Sequence, residues 1–267
     1  MAQVQASPDF KKKKHKFIKR TGKKVRDVLS EFLVGQGTVG DLPVFDNEHF
    51  PFLKELEDNW EDIRAEAEAI LQHRELIPTF DEVSPDQARI SKDKNWRTFF
   101  LFGFRTMLEK NTKQAPKTAA LLSKIPGIQT AWFSILSPGY HIPAHKGVTR
   151  GILTAHLGLI IPKDAEKCRI RVEDQTLVWR EGKTFVFCDA YDHEVWNDTD
   201  EERTILLIQF DRPMRPLGRF VNNAFLAAVK MTAFYKVPKE NMGAFEDRFE
   251  EATRQANEAL EKMSTSD

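Results

Sequence analysis

The chain of 267 residues is short of cysteine, with only Cys168 and Cys188, and it carries no net charge, 40 lysines and arginines balancing 40 aspartates and glutamates. Two cysteines in strand-like segments are expected to be buried free thiols, which excludes a disulfide-stapled secreted scaffold. A balanced charge excludes a global pull toward nucleic acid. No run approaches the roughly 20 apolar residues of a spanning helix, and the N-terminus lacks the apolar stretch of a signal peptide. Residence in the cytoplasm is the resulting expectation. Internal repeats and a glycine-rich phosphate loop are also missing, which removes solenoids and P-loop enzymes.

The charge that is present is unevenly placed. From Lys11 to Arg26 the chain is mostly lysine and arginine, while the C-terminal third is rich in glutamate. The basic stretch can be a solvated arm or a peripheral anchor on the inner face of an anionic membrane, where clustered lysines gain about 1 kcal/mol each. Leu53, Leu56, Trp60, Ile63, Ala67 and Ile70 recur every three or four residues and predict an amphipathic helix over 50–71. Residues 95–104 read as a buried strand, and 117–124, just before Pro126, as a short helix.

Residues 128–136, 152–161, 167–173, 176–180, 183–188, 193–196 and 203–210 are rich in Val, Ile, Leu, Phe, Thr and Trp and are separated by turn residues. Short strands at close spacing without intervening helices predict an antiparallel sandwich or jelly roll, mainly β with flanking α-helices. An apolar segment follows at 217–235. A final helix is expected from Pro238, with Phe245, Phe249, Ala252, Ala256, Leu260 and Met263 as its apolar stripe.

Within the β region lie His141, His145, His156 and His193. His141 and His145 have the spacing of a helical zinc pair, but Pro143 between them and Pro138-Gly139 before them rule out the helix. His145 early in the strands, His193 late, and Arg203 ten residues further (203 − 193 = 10) form a different pattern. Neutral imidazoles suit Fe(II), and a guanidinium grips a carboxylate with two parallel hydrogen bonds. The usual iron motif has an acidic residue two positions after the first histidine; here Gly147 stands there. From the residues alone, either water takes that coordination position or the site holds no metal.

The strings NWRTFFLFGF, APKTAALLSKIPG, SILSPGYHIPAHKG, HLGLIIPKDAEKCRIRV, WREGKTFVFCDAYDHEVWND and RTILLIQFDRP run collinearly from about 95 to 213. Together they resemble the aspartyl/asparaginyl β-hydroxylase family. The resemblance implies a double-stranded β-helix and hydroxylation dependent on Fe(II), 2-oxoglutarate and O2. It also implies a metal held by two histidines, with glycine where the carboxylate normally stands, so Gly147 becomes a match. The chain is expected to divide into a basic arm and linker over 1–45, a dioxygenase domain with flanking helices over 46–235 and a C-terminal amphipathic helix over 236–267.

By the same resemblance, His145 and His193 would bind the metal. Arg203 and Ser134 would hold the distal carboxylate of 2-oxoglutarate, His156 would touch that cosubstrate near the metal, and Trp96 would line its pocket. Asp189 would hydrogen-bond the water that replaces the missing ligand.

One departure bears on the substrate. The family's peptide hydroxylases carry arginines just before the histidine of HLGL, where this chain reads GILTAHLGL with Ile152 and Thr154; Arg150 is nearby but shifted. An aspartyl or asparaginyl side chain is placed ahead of a lipid acyl chain of the lipid A or ornithine lipid type. A cupin-like binding module without turnover is the non-enzymatic alternative.

Overall fold

The computed structural model describes residues 27–91 and 93–264. The basic stretch from Lys11 to Arg26, with its arm or anchor reading, lies outside them. So do the side chains of Ala256, Leu260 and Met263 in the expected helical stripe.

Eleven strands are described: β1 (Val44–Phe45), β2 (Trp96–Gly103), β3 (Thr106–Met107), β4 (Ile128–Leu136), β5 (His141–His145), β6 (Ile152–Ile160), β7 (Cys168–Val172), β8 (Gln175–Val178), β9 (Thr184–Phe187), β10 (His193–Asn197) and β11 (Arg203–Asp211). They form a seven-stranded sheet in the order β1-β9-β6-β11-β4-β2-β3 and a four-stranded sheet in the order β5-β10-β7-β8. Every pairing between these strands is antiparallel. Two such sheets face to face make the jelly roll expected from the strand pattern and the double-stranded β-helix that the family resemblance implies, with side chains from the inner faces meeting between them.

The period-two alternation of strands assigns each residue a side. On β4, Ala131, Phe133 and Ile135 point to the outer face of the large sheet. There they pack with Leu206, Ile208 and Phe210 of β11 and with Leu53, Leu56, Ile63, Ala67 and Ile70 of the helical layer. Burying each such Leu or Ile stabilises the fold by about 1.5–3 kcal/mol. The intervening residues Trp132 and Leu136 of β4, with Ile205 and Leu207 of β11, face the small sheet and meet Ile142, Ile170 and Val195. The site therefore draws on one parity of these strands.

Some elements differ from the sequence reading. The helix expected over 50–71 is two helices, Leu53–Asp58 and Trp60–Leu71, broken at Asn59, whose φ of −116° leaves the helical range. The apolar positions survive the break because both pieces lie on the same sheet. β5 has no counterpart among the expected strands: Pro143 sits inside it, tolerated because β5 is the edge of the small sheet. The last helix begins at Ala233, upstream of Pro238, and the apolar segment before it is a separate helix, Pro216–Val229. Cys168 and Cys188 are free and buried, as expected. Among the described residues no helix is long and apolar enough to cross a membrane.

Candidate active site

A cavity of about 270 Å³ opens between the sheets, and all seven residues singled out from the sequence line it: Trp96, Ser134, His145, His156, Asp189, His193 and Arg203. Strand register explains the convergence. His193 on β10 sits directly opposite His145 on β5, and their rings lie 4.0 Å apart, centroid to centroid. On the facing sheet, Arg203 begins β11 opposite Leu136, two residues along β4 from Ser134, which pairs with Ile205.

The hydrogen bonds fix the histidine tautomers. Nδ1 of His145 lies 2.9 Å from the Pro143 carbonyl oxygen, and Nδ1 of His193 lies 3.0 Å from that of Tyr191. A carbonyl only accepts, so both Nδ1 atoms carry the proton and each Nε2 keeps its lone pair. Burial lowers the pKa of His145, and burial together with the neighbouring His145 ring pulls His193 down to about 4. Two neutral imidazoles whose rings lie side by side are the ligand form a divalent transition metal takes.

No third protein ligand joins them: among the described residues no group of three or more His, Cys, Asp or Glu side chains is placed to hold a metal ion. The reason is local. A Cβ at Gly147 would stand 2.5 Å from Oδ1 of Asp189, so the Asp189 carboxylate fills the space a side chain at 147 would need. The Gly147 amide also donates to the Asp189 carbonyl at 2.7 Å, closing the two segments together. The Asp189 carboxylate is half-buried and accepts from Nε2 of Gln209 at 3.1 Å; partial removal from water raises its pKa to about 7.

Deeper between the sheets lie unsatisfied donors. Arg203 is 2% exposed, yet among the described residues no carboxylate lies within ion-pair distance of it. Its Nη1 donates to the Ser134 carbonyl at 3.2 Å and reaches Ser134 Oγ at 3.5 Å, its guanidinium lies 4.7 Å over the Trp179 ring, and its Nε has no partner. Ser134 Oγ also accepts from Nε1 of Trp96 at 3.0 Å. Trp179 donates its indole N–H to Nδ1 of His156 at 3.3 Å, which places the His156 proton on Nε2. Burial, then the charges of Arg203 and His193, push the His156 pKa well below its ordinary value, and that Nε2–H is again buried without a partner. A buried cation and a buried N–H donor, both lacking an anionic partner, cost several kcal/mol unless an anion satisfies them.

Two residues of the site carry no mark in the sequence. Gln209, which holds Asp189, and Trp179, which sets the His156 tautomer and carries Arg203, stand among strand residues that look alike. Strand parity is the available signal for Gln209, which shares the inward side of β11 with Arg203; Trp179 lies one residue past the end of β8 and has no such signal.

A double-stranded β-helix with two histidines on the small sheet and a buried arginine on the large one sets side chains able to hold a metal beside side chains able to hold an anion. The aspartyl/asparaginyl beta-hydroxylase family model matches residues 57–213, more than half of the chain. An ornithine lipid ester-linked acyl 2-hydroxylase from Rhizobium tropici is 44% identical over 211 residues, which cover 79% of this chain and 75% of that protein. The human aspartyl/asparaginyl beta-hydroxylase is 36% identical over 166 residues, 60% of this chain but only 21% of that longer protein. Among solved structures, an oxidoreductase of the 2OG-Fe(II) oxygenase family from Burkholderia pseudomallei overlaps 45% of this chain with a TM-score of 0.35 at 16% identity. The chain belongs to the aspartyl/asparaginyl β-hydroxylase family.

Proposed function

We propose that the protein is an Fe(II)- and 2-oxoglutarate-dependent hydroxylase whose substrate is a lipid acyl chain. The observation that carries the cosubstrate is the buried Arg203 guanidinium without a carboxylate partner, next to the orphaned Nε2–H of His156. A dicarboxylate entering the cavity satisfies both. Arg203 and the Ser134 hydroxyl take one carboxylate, His156 donates toward the other end, and the Trp96 and Trp179 indoles hold these groups in place. His145 and His193 would hold Fe(II), which with O2 and 2-oxoglutarate supplies the oxidising power for hydroxylation as the cosubstrate is decarboxylated to succinate. Asp189 stands where a third ligand would be and can position water there, in either protonation state near neutral pH. The apolar walls exclude bulk water and hold the substrate C–H group.

The substrate reading rests on those walls. Trp132, Phe100, Ile142, Leu207, Leu226 and Val229 line the cavity, and Ile152 and Thr154 face it where an acidic side chain would call for arginine. Arg150, the nearest substitute, pairs with Asp41 at 2.8 Å and stacks at 4.8 Å on the Tyr191 ring, outside the cavity lining. An aspartyl or asparaginyl residue, placed ahead in the sequence reading, would therefore lack a buried counter-charge. The acyl chain hydroxylated by the Rhizobium relative matches the apolar walls better.

The test is reaction of the purified protein with Fe(II), ascorbate, 2-oxoglutarate and an ornithine lipid, against an aspartyl peptide in parallel. Stoichiometric succinate and a one-oxygen mass gain in the lipid are expected. Turnover on the peptide alone would reverse the substrate assignment, and no turnover on either would sink the reading.

A further inference from the structure

Part of the cavity wall that belongs to neither sheet comes from two consecutive helices joined by a short turn. Helix Pro216–Val229 contributes Leu226 and Val229 to the cavity lining, the turn contributes Lys230, and the start of helix Ala233–Ser264 contributes Tyr235 and Pro238. The inner side of the first helix is seated by Gly218 and Asn222, both buried, with Asn222 donating to the Gly151 carbonyl at 3.2 Å. Its other side also lacks the polarity of a water-facing helix. Leu217 is 58% exposed, Phe220 is 72% exposed, and Ala224 and Ala228 continue the stripe at spacings of three and four. Met231, in the turn, is 78% exposed. The helix is thus apolar toward the cavity and apolar toward solvent.

Charge on this segment has one sign. From residue 215 to 239 there are five cations, Arg215, Arg219, Lys230, Lys236 and Lys239, and no aspartate or glutamate, in a chain where the two charges balance overall. All five are exposed, and among the described residues none is ion-paired. The ammonium groups of Lys230 and Lys239 both lie 5.8 Å from the Tyr235 ring, which gathers two of these charges beside the cavity. Exposed large apolar side chains framed by unpaired cations are the signature of an element lying in an anionic lipid interface, its apolar face in the acyl boundary and its lysines at the phosphates.

We propose that the helix–turn–helix segment 216–239 is a docking surface for an anionic bilayer, seated so that the cavity it helps to wall opens toward the lipid. The inference deepens the acyl-chain reading, on which the purpose of the surface rests, since a chain could pass from the bilayer to the histidines without crossing water. A second copy of the chain is the poorer occupant: apposing two such segments brings ten cations together (five from each), a repulsion that an anionic membrane turns into attraction.

The test is co-sedimentation of the full chain with phosphatidylglycerol vesicles and with phosphatidylcholine vesicles, which needs neither iron nor turnover. Binding to phosphatidylglycerol that weakens as salt rises, with little binding to phosphatidylcholine, is expected. Phe220→Glu and, separately, Leu217→Glu should each reduce that binding by about tenfold or more while leaving the thermal midpoint unchanged, because both side chains are exposed. Wild-type protein that ignores phosphatidylglycerol, variants that bind like wild type, or a solution dimer that Phe220→Glu splits in place of vesicle binding would each overturn the proposal. Vesicle binding lost in both variants, together with no acyl hydroxylation by wild type, would support the docking surface and sink only the substrate reading.

Discussion

The large sheet is buried through its whole thickness, whereas the small sheet alternates between core and water. All eight residues of β2 are buried, and so are eight of nine on β4, because helices cover the outer face and the small sheet covers the inner one. On β7 and β10 every second residue is partly exposed. Their outer positions carry a charged lattice in which Arg171 meets Asp192 at 2.8 Å and Glu194 at 3.0 Å, and His141 meets Glu194 at 2.7 Å. The site is split along the same line. The buried sheet supplies the groups proposed to hold the anion, Arg203, Ser134, Trp96 and His156. The half-exposed sheet supplies the two imidazoles proposed to hold the metal, one from its edge strand β5 and one from the neighbouring β10. A charged cosubstrate is best held where water is excluded and each hydrogen bond is strong, while metal and substrate must arrive from outside.

Removing one group from each sheet should separate the two roles. His193→Ala is expected to abolish Fe(II) binding and succinate production, with the fold kept; normal turnover in that variant would remove the residue from the ligand set. Arg203→Met should raise the 2-oxoglutarate requirement at least about tenfold, since a charged hydrogen-bonded pair is worth a few kcal/mol. It should leave Fe(II) affinity nearly unchanged and make the cosubstrate-free protein no less stable, because a buried charge without a partner is lost along with the binding. Calorimetric titration of each ligand against both variants would show whether the sheets act separately; equal losses of iron and cosubstrate in Arg203→Met would erase the distinction.

The same contrast governs how much of the fold and the site is legible in the amino-acid sequence. The small sheet's β7 and β10 announce themselves by alternation, and His193 stands out on one of them. On the large sheet both parities are apolar, so ILTAHLGLI or RTILLIQFD says strand without saying which side faces the cavity. That is why nothing singles out Gln209; Trp179, just past the end of β8 of the small sheet, looks like one more strand aromatic because it belongs to no motif. β5 is illegible for another reason: His-Ile-Pro-Ala-His has the proline of a loop, and only its place at a sheet edge makes it a strand. The outer face of helix Pro216–Val229 misleads in the opposite sense, since apolar content usually signals burial and here lies half in water. The roles of individual site residues come from the family strings, because two histidines and an arginine admit many structures.

Asp189 lies where the two sheets meet and should show a stability signature opposite to that of a surface carboxylate. In the unfolded chain it ionises near the usual pH of about 4, but burial holds it protonated in the fold up to about 7. Between those values the unfolded state has lost a proton that the native state keeps. The metal-free protein should therefore lose stability as pH rises from about 4 to about 7. Asp189→Asn cannot titrate, so its stability relative to wild type should grow by on the order of a few kcal/mol from pH 4 to pH 8. Urea unfolding at the two pH values reads the difference; a gap that does not change would mean the carboxylate is ionised throughout.

The smallest effect expected is also the most local, and it asks why the small sheet offers only two ligands. Gly147→Ala places a methyl carbon 2.5 Å from Oδ1 of Asp189, closer than any real contact, so one of the two segments must move. Because the Gly147 amide and the Asp189 carbonyl are already joined at 2.7 Å, there is little room to yield. A destabilisation of about 2 kcal/mol is expected, in the range for overpacking a filled site. In an Asp189→Ala background the carboxylate is gone and the same methyl should cost less than about 0.5 kcal/mol, giving a coupling well above the noise of a double-mutant cycle. If the two substitutions prove additive, the carboxylate does not occupy the missing ligand's place, and the two-histidine site needs another explanation than competition between residues 147 and 189 for one volume.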